Sequence, residues 1–282
     1  MSVVDTATQA ARTIAEKPRR ARRPGLVRSA TAVAVLVGIV ILWQIGTMAA
    51  GQRFFPTPLE IIENTPGVLF QTGAGNDAAP FFADVLPSLA RMAAGFLGGT
   101  VAGVLLGAFL GWFGPARDYA APITEFLRSV PATAVLPIFI MLLGIGSNMQ
   151  ILFISWGVMW FVLINTTAAV AEIHPTVLDM TKTFRIPKAK VLLRIVLPAA
   201  SPKIFAGMRI GLTAAMILFV TSEFMGATNG IGYQLIVTQS RFQVLDMWSW
   251  MLVIAVAGFL ANTILEAIEA RVLRWHTASR RK

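Results

Sequence analysis

Charged residues in this chain are gathered into a few short stretches, and the apolar runs left between them decide what it can fold into. Only 13% of the residues are Asp, Glu, Lys or Arg, against 56% hydrophobic, whereas a soluble globular chain carries about 25% charged residues. An uncharged apolar run of about 18 residues or more spans a bilayer core as a helix. Backbone polar groups there must be satisfied inside the segment, which a helix does. The sequence therefore reads as an all-α membrane protein with six transmembrane helices, at residues 30–50, 92–113, 131–143, 151–170, 204–224 and 247–267. The third is interrupted by Pro131 and Pro137; such breaks survive only against neighbouring helices or a wet cavity. The segments 51–83 and 226–246 read as polar connections, the first with an interfacial stretch from Phe54 to Pro58.

Alternating spans put the arm 1–28, the turn 114–130, the stretch 171–209 and the tail on one side. Of the 24 Lys and Arg residues, 21 fall there; Arg53, Arg91 and Arg241 fall on the other side. Basic residues stay in the cytoplasm, so both termini are expected there. The arm, with six arginines, one lysine, Pro18 and Pro24, is expected to attract anionic lipid. A cleaved signal peptide is the rival reading; the basic region is long for one, and the run 30–50 is long enough to span. The organisation is then an arm at 1–28, a membrane domain at 29–272 and a cytoplasmic tail at 273–282.

Several function classes drop out. Without cysteine, and with only His174 and His276, disulfides and thiolate or histidine-rich metal sites are excluded. There is no Gly-x-x-x-x-Gly-Lys-[Ser/Thr] for ATP. The spans carry no paired acids and no Ser/His/Asp set for an intramembrane enzyme, and no repeated filter for a channel. No catalytic residue, metal or cofactor is expected in this chain. The net charge of +10 reflects orientation in a membrane, not nucleic-acid binding.

Within the spans two features stand out. Gly95, Gly99, Gly103, Gly107 and Gly111 recur every four residues; such a stripe lets another helix approach closely. It serves either the internal bundle or an interface between copies. Glu223, with Thr221 and Ser222 beside it, is the clearest acid inside a span. It either lines a solute path or outer gate, as an ion-coupled secondary transporter would require, or sits at the interface and reaches water. Arg209 reads as a snorkelling residue.

The stretch 171–203 carries the functional signal. Pro175 suits a first helical position and Pro187 a stop, so a helix is expected over Thr176–Ile186. Val177, Met180 and Phe184 fall on one apolar face, with Asp179, Lys182 and Arg185 elsewhere. A short amphipathic helix of this kind either docks into a partner or lies on lipid headgroups.

This stretch, with Leu127–Pro131 and Gly230–Tyr233, resembles the permeases of binding-protein-dependent ABC importers, most of all their nitrate, sulfonate and taurine branch. The signature loop of that family runs Glu-Ala-Ala, then Gly, then Ile-x-Leu-Pro. Here Asp179-Met180-Thr181 stands at the first positions, Arg185 at the glycine, and Ile195–Pro198 at the ending, followed by Pro202 and Gly207. The resemblance covers residues 85–275. It implies that Thr176, Val177, Leu178, Asp179, Met180, Thr181, Lys182, Phe184, Arg185 and Ile186 form a coupling helix. That helix would seat in a cytoplasmic ATPase dimer, which binds the ATP and Mg. It implies permease signature residues at Leu197, Pro198, Pro202 and Gly207, an external substrate-binding protein, and a homodimer in membrane lipid. The implied function is import of a small, anionic solute by alternating access.

Overall fold

The structure, a computed structural model, describes residues 25–51, 54–71 and 78–274. Most of the basic arm, Arg53 and the end of the tail lie outside the described residues. The chain divides into two units, Met1–Gln52 and Arg53–Lys282. In the first, α1 (Gly25–Ala50) is one helix, apolar over Val33–Ala49.

The second unit is a helical bundle. It contains α2 (Pro58–Phe70), α3 (Leu86–Trp112), α4 (Gly114–Ser129), α5 (Ala132–Leu143), α6 (Ser147–Ala171), α7 (Pro175–Thr183), α8 (Lys188–Val191), α9 (Leu197–Gly226), α10 (Ile231–Ser240) and α11 (Val244–Val272). Four continuous helical stretches are long and apolar enough to cross a membrane: Phe81–Trp112, Ser147–Ala171, Lys188–Met225 and Val244–Val272. A fifth crossing is made if α4 and α5, bent by 90° at Val130–Pro131, act as one broken span. Against the expected count of six, this unit supplies four long helices, or five crossings if the bent pair acts as one.

The centre of the bundle is the contact of α3 with α6. The residues opposite the glycine stripe on α6 are Ile154, Val158, Val162, Thr166 and Val170. Their spacing of four matches that of the glycines, so each glycine meets the residue 59 positions later. The offset does not change along the contact, which means that α3 and α6 run parallel. Added Cβ atoms would lie 2.6 Å from Ile154 Cβ at Gly95 and 2.5 Å from the Ser155 carbonyl at Gly99. The stripe thus belongs to the internal bundle. Ser155 Oγ donates to the Gly95 carbonyl at 3.0 Å and Thr167 Oγ1 to that of Gly107 at 3.3 Å, the side-chain-to-backbone bonding that close helices allow. Two parallel neighbours require the chain between them to travel back, so α4 and α5 together return it along the length of α3. Helix α9 runs against α6, with Gly207 against Asn165 and Gly157 against Leu218, and α11 runs against α9.

Several boundaries differ from the sequence reading. The second span starts near Phe81, not residue 92, because Asp84 and Arg91 are paired and buried and so do not end it. The connection 51–83 contains α2, started by a capping box in which Thr57 N–H donates to Glu60 Oε2 at 2.8 Å and Glu60 N–H to Thr57 Oγ1 at 3.3 Å. The connection 226–246 contains α10. Residues 188–203 are helical and run without a break into α9, so this span begins before residue 204. Prolines are tolerated there because the turn before them widens. A proline ring clashes with the carbonyl four residues back, and an i→i+5 turn relieves the clash. Both π turns, Phe81–Val85 and Leu192–Val196, precede a Val-Leu-Pro sequence, at Pro87 and Pro198.

Candidate functional site

Two polar features lie at opposite ends of the bundle. The first is α7. His174 caps its start, Nδ1 accepting from Thr176 N–H at 3.3 Å, with Pro175 at the first helical position. Its end is earlier than expected. Ile186 N–H donates to the Thr181 carbonyl at 3.0 Å and Arg185 N–H to that of Lys182 at 2.9 Å. This pair of bonds is a Schellman ending, which needs a left-handed residue at the position after the cap. Arg185 supplies it at φ 51°. The helix therefore stops at Thr183, with Phe184 as its cap, and Ile186 lies past its end. Pro187 begins α8. A glycine, expected here from the resemblance, would take this conformation without strain; Arg185 holds it with a side chain.

The faces of α7 divide cleanly. Leu178 and Ile186 pack on a core of Ala169, Val170, Val191, Val196, Ala200 and Ile204. Thr181 is buried, its hydroxyl donating to the Leu178 carbonyl at 2.6 Å. On the other face Val177, Met180 and Phe184 are 37%, 59% and 77% exposed. Asp179 and Lys182 pair on the surface at 2.9 Å. The helix is anchored by one apolar side and presents another. Beside it, Glu172 pairs with Lys203 at the foot of α9.

The second feature is a buried cluster around the start of α10. Asp84, Ser88 and Arg91 stand at i, i+4 and i+7, one face of the helix into α3. Glu223 comes from the last turn of α9. It does not reach water: it is 2% exposed. Arg91 Nη2 donates to Glu223 Oε1 at 2.9 Å, and Ser88 Oγ donates to the same oxygen at 2.5 Å. The first backbone N–H groups of α10 find their acceptors here. Gly230 N–H donates to Asp84 Oδ1 at 2.7 Å, Ile231 N–H to Ser88 Oγ at 3.0 Å and Gly232 N–H to Glu223 Oε2 at 2.8 Å. Two carboxylates at a helix N-terminus meet both its unpaired donors and its positive dipole end. Gly230 takes φ 131°, and an added Cβ would lie 2.6 Å from the Glu223 carboxyl carbon. Pro87 contributes by leaving the Ala83 carbonyl without an α-helical partner; Asn229 Nδ2 donates to it at 3.2 Å. Thr221 and Ser222 are not part of the cluster, since their hydroxyls donate to Ile217 and Phe219 carbonyls of their own helix.

The family profile of the binding-protein-dependent transport system inner membrane component matches residues 99–275. The chain belongs to this family of ABC importer permeases. Over 270 residues, 95% of this permease and 94% of the relative, it is 27% identical to a putative aliphatic sulfonates transport permease protein, SsuC, of Bacillus subtilis. It is 27% identical over 267 residues to the nitrate import permease protein NrtB of Synechocystis, covering 91% and 95% of the two chains. It is 27% identical over 240 residues to the taurine transport system permease protein TauC of Escherichia coli, covering 84% and 86%. In fold it is similar to the inward-facing MetNI methionine ABC transporter, with a TM-score of 0.56 at 18% identity over 66% of this chain and 93% of that one. The permease is a multi-pass protein of the inner membrane.

Leu197, Pro198, Pro202 and Gly207, expected as signature residues, shape the start and packing of α9. Leu197 and Pro198 open α9 after its π turn. Pro202 leaves the Pro198 carbonyl free, and Ser201 Oγ donates to it at 2.7 Å. At Gly207 an added Cβ would lie 2.7 Å from Asn165 Cβ, so this glycine lets α9 reach α6. Arg209 does not snorkel alone; its Nη2 donates to Glu269 of α11 at 2.6 Å. Sequence reasoning missed Asp84, Ser88 and Asn229. The signal was present in the 84, 88, 91 spacing.

Proposed function

We propose that this permease is one half of a homodimeric importer for a small oxyanionic solute of the sulfonate, nitrate, taurine or carboxylate type. Each copy contributes six spans, counting α1 and the bent α4–α5 pair, with both termini and α7 in the cytoplasm. The charge asymmetry supports that orientation. An external binding protein delivers the solute on the α10 side. On the other side α7 seats in a cytoplasmic ATPase dimer, which binds ATP and Mg and drives alternating access. The substrate class rests on the named roles of SsuC, NrtB and TauC.

One observation carries the coupling role of α7. Its inner face is fixed to the core through Leu178, Thr181 and Ile186, while Val177, Met180 and Phe184 stand exposed beside it. An apolar face held out on a rigid mount gives a partner both an anchor and a lever. Ion-coupled secondary transport is the other reading, and it needs a titratable group free to exchange an ion. Among the described residues the buried charged groups are Asp84, Arg91 and Glu223, all engaged in one cluster. The test is co-purification in mild detergent. The parent chain is expected to bring down an ATPase in fixed ratio, and a Met180→Glu/Phe184→Asp variant to lose it while staying folded. Proton- or sodium-driven uptake by this chain alone in vesicles would overturn the reading.

A further inference from the structure

Helix α4 carries a polar and an apolar face and buries neither fully. Arg117, Thr124, Glu125 and Arg128 follow one another at i, i+7, i+8 and i+11, on one face. Glu125 and Arg128 on it are exposed, and Arg117 and Thr124 are half-buried. This polar face lines a cavity of about 540 Å³ whose opposite wall is α6 at Leu163, Ile164, Thr167 and Ala168. The apolar residues Tyr119, Ile123 and Phe126 of α4 are exposed as well, on the side away from the cavity. A helix that turns its charges toward a neighbouring helix across an open space has water or a polar ligand in that space, because charges facing dry apolar walls are costly.

The charges around the cavity are unequally committed. Glu172, at its rim, is held by Lys203. Arg117 spends only Nε, on Asp118 at 3.4 Å. Among the described residues neither Arg128 nor Glu125 enters an ion pair or hydrogen bond. Two guanidiniums with free donors thus face one free carboxylate. They lie eleven residues apart, about 16 Å along a helix. One anion does not bridge them; it would be handed from one to the other, and a path conducts when its sites are several and none holds too tightly. The apolar wall from α6 suits a short organic body behind the charged head.

We propose that the cavity between α4 and α6 is a water-filled vestibule for the transported oxyanion, with Arg117 and Arg128 as its two contact residues. This rests on the importer reading above and names part of its path.

Since the chain has no cysteine, single-cysteine variants report cleanly. Ala168→Cys and, as a second position, Thr124→Cys would be placed in full-length protein in phosphatidylcholine vesicles. Labelling with an anionic methanethiosulfonate would be timed against the buried reference Ala215→Cys, at a residue 0% exposed. Both vestibule positions are expected to react while Ala215→Cys does not. 1-Butanesulfonate is expected to slow their labelling, and adding Arg128→Gln or Arg117→Gln to weaken that protection by about tenfold, the loss of one hydrogen bond to a charged group. The proposal is overturned if both positions are as inert as Ala215→Cys, or if protection survives the arginine substitutions. It is also overturned if phosphatidylglycerol in the vesicles protects and butanesulfonate does not, which would make the cavity a lipid site. Labelling needs no ATPase, so its failure is separable from a failure of co-purification.

Discussion

Arg91 and Glu223, 132 residues apart in the chain, meet at 2.9 Å inside the bundle with side chains 9% and 2% exposed. Removing one partner of such a pair strands a buried charge, at a cost of about 3–5 kcal/mol. Arg91→Met is therefore expected to lower the unfolding midpoint of the detergent-purified permease sharply. Adding Glu223→Gln to Arg91→Met should recover part of that loss, because the amide oxygen still accepts from Gly232 N–H. A double variant no better than Arg91→Met would show that the two side chains are not coupled.

The glycine stripe predicts graded damage. Gly99→Ala would push a methyl group to 2.5 Å from the Ser155 carbonyl and 2.8 Å from Val158 Cβ. Backbone cannot rotate away as a side chain can, so a loss of about 1–3 kcal/mol is expected. Gly114→Ala, with nothing within 4 Å of the new atom, should change stability by less than about 0.5 kcal/mol. Paired thermal unfolding curves decide it; equal effects at the two sites would contradict the packing described.

At Arg185 backbone and charge can be separated. A non-glycine residue in the left-handed region carries strain of about 1–2 kcal/mol, partly offset in Arg185→Gly by the freer unfolded chain. Arg185→Gly should leave stability unchanged or raised by up to about 1 kcal/mol and keep ATP-driven uptake. Arg185→Val, β-branched at the same φ, should lose both stability and coupling. Loss of uptake in Arg185→Gly would assign a role to the guanidinium itself, and Arg185→Glu would then be expected to uncouple ATP hydrolysis from transport.

Gly230 offers a further check on the cluster. Gly230→Ala places a methyl group against the Glu223 carboxyl at a backbone angle that L-residues rarely adopt, a cost of about 1–3 kcal/mol. Faster amide hydrogen exchange over α10 than over α6 in that variant is the expected readout. Uniform exchange would mean that α10 is not held by its capped start.

Much of this was legible in the sequence, and the rest failed for identifiable reasons. The glycine spacing was plain, but its partner ridge on α6 looked like any apolar helix, because β-branched residues every fourth position carry no contrast within a span. Asp84 and Arg91 shortened the second span on paper, since charge was counted against burial without knowing that each has a partner. Helix α10 went unseen because two of its three capping side chains, Asp84 and Ser88, come from more than 140 positions away in the chain. Pro187 was the visible stop for α7. The actual stop is a left-handed arginine, held there with Ile186 packed beside Leu178, and no local pattern announces it.

The regular offset between α3 and α6 has a further implication. An interface that repeats every four residues is ambiguous to translation: a slip by four residues, about 6 Å, would present most glycines to equivalent neighbours. The next position of the same series before Gly95 is Arg91, and beyond Gly111 it is Pro115. Neither can take the place of a glycine against a β-branched ridge. The ion pair at one end of the stripe thus serves as an index mark, fixing which tooth of the rack engages which.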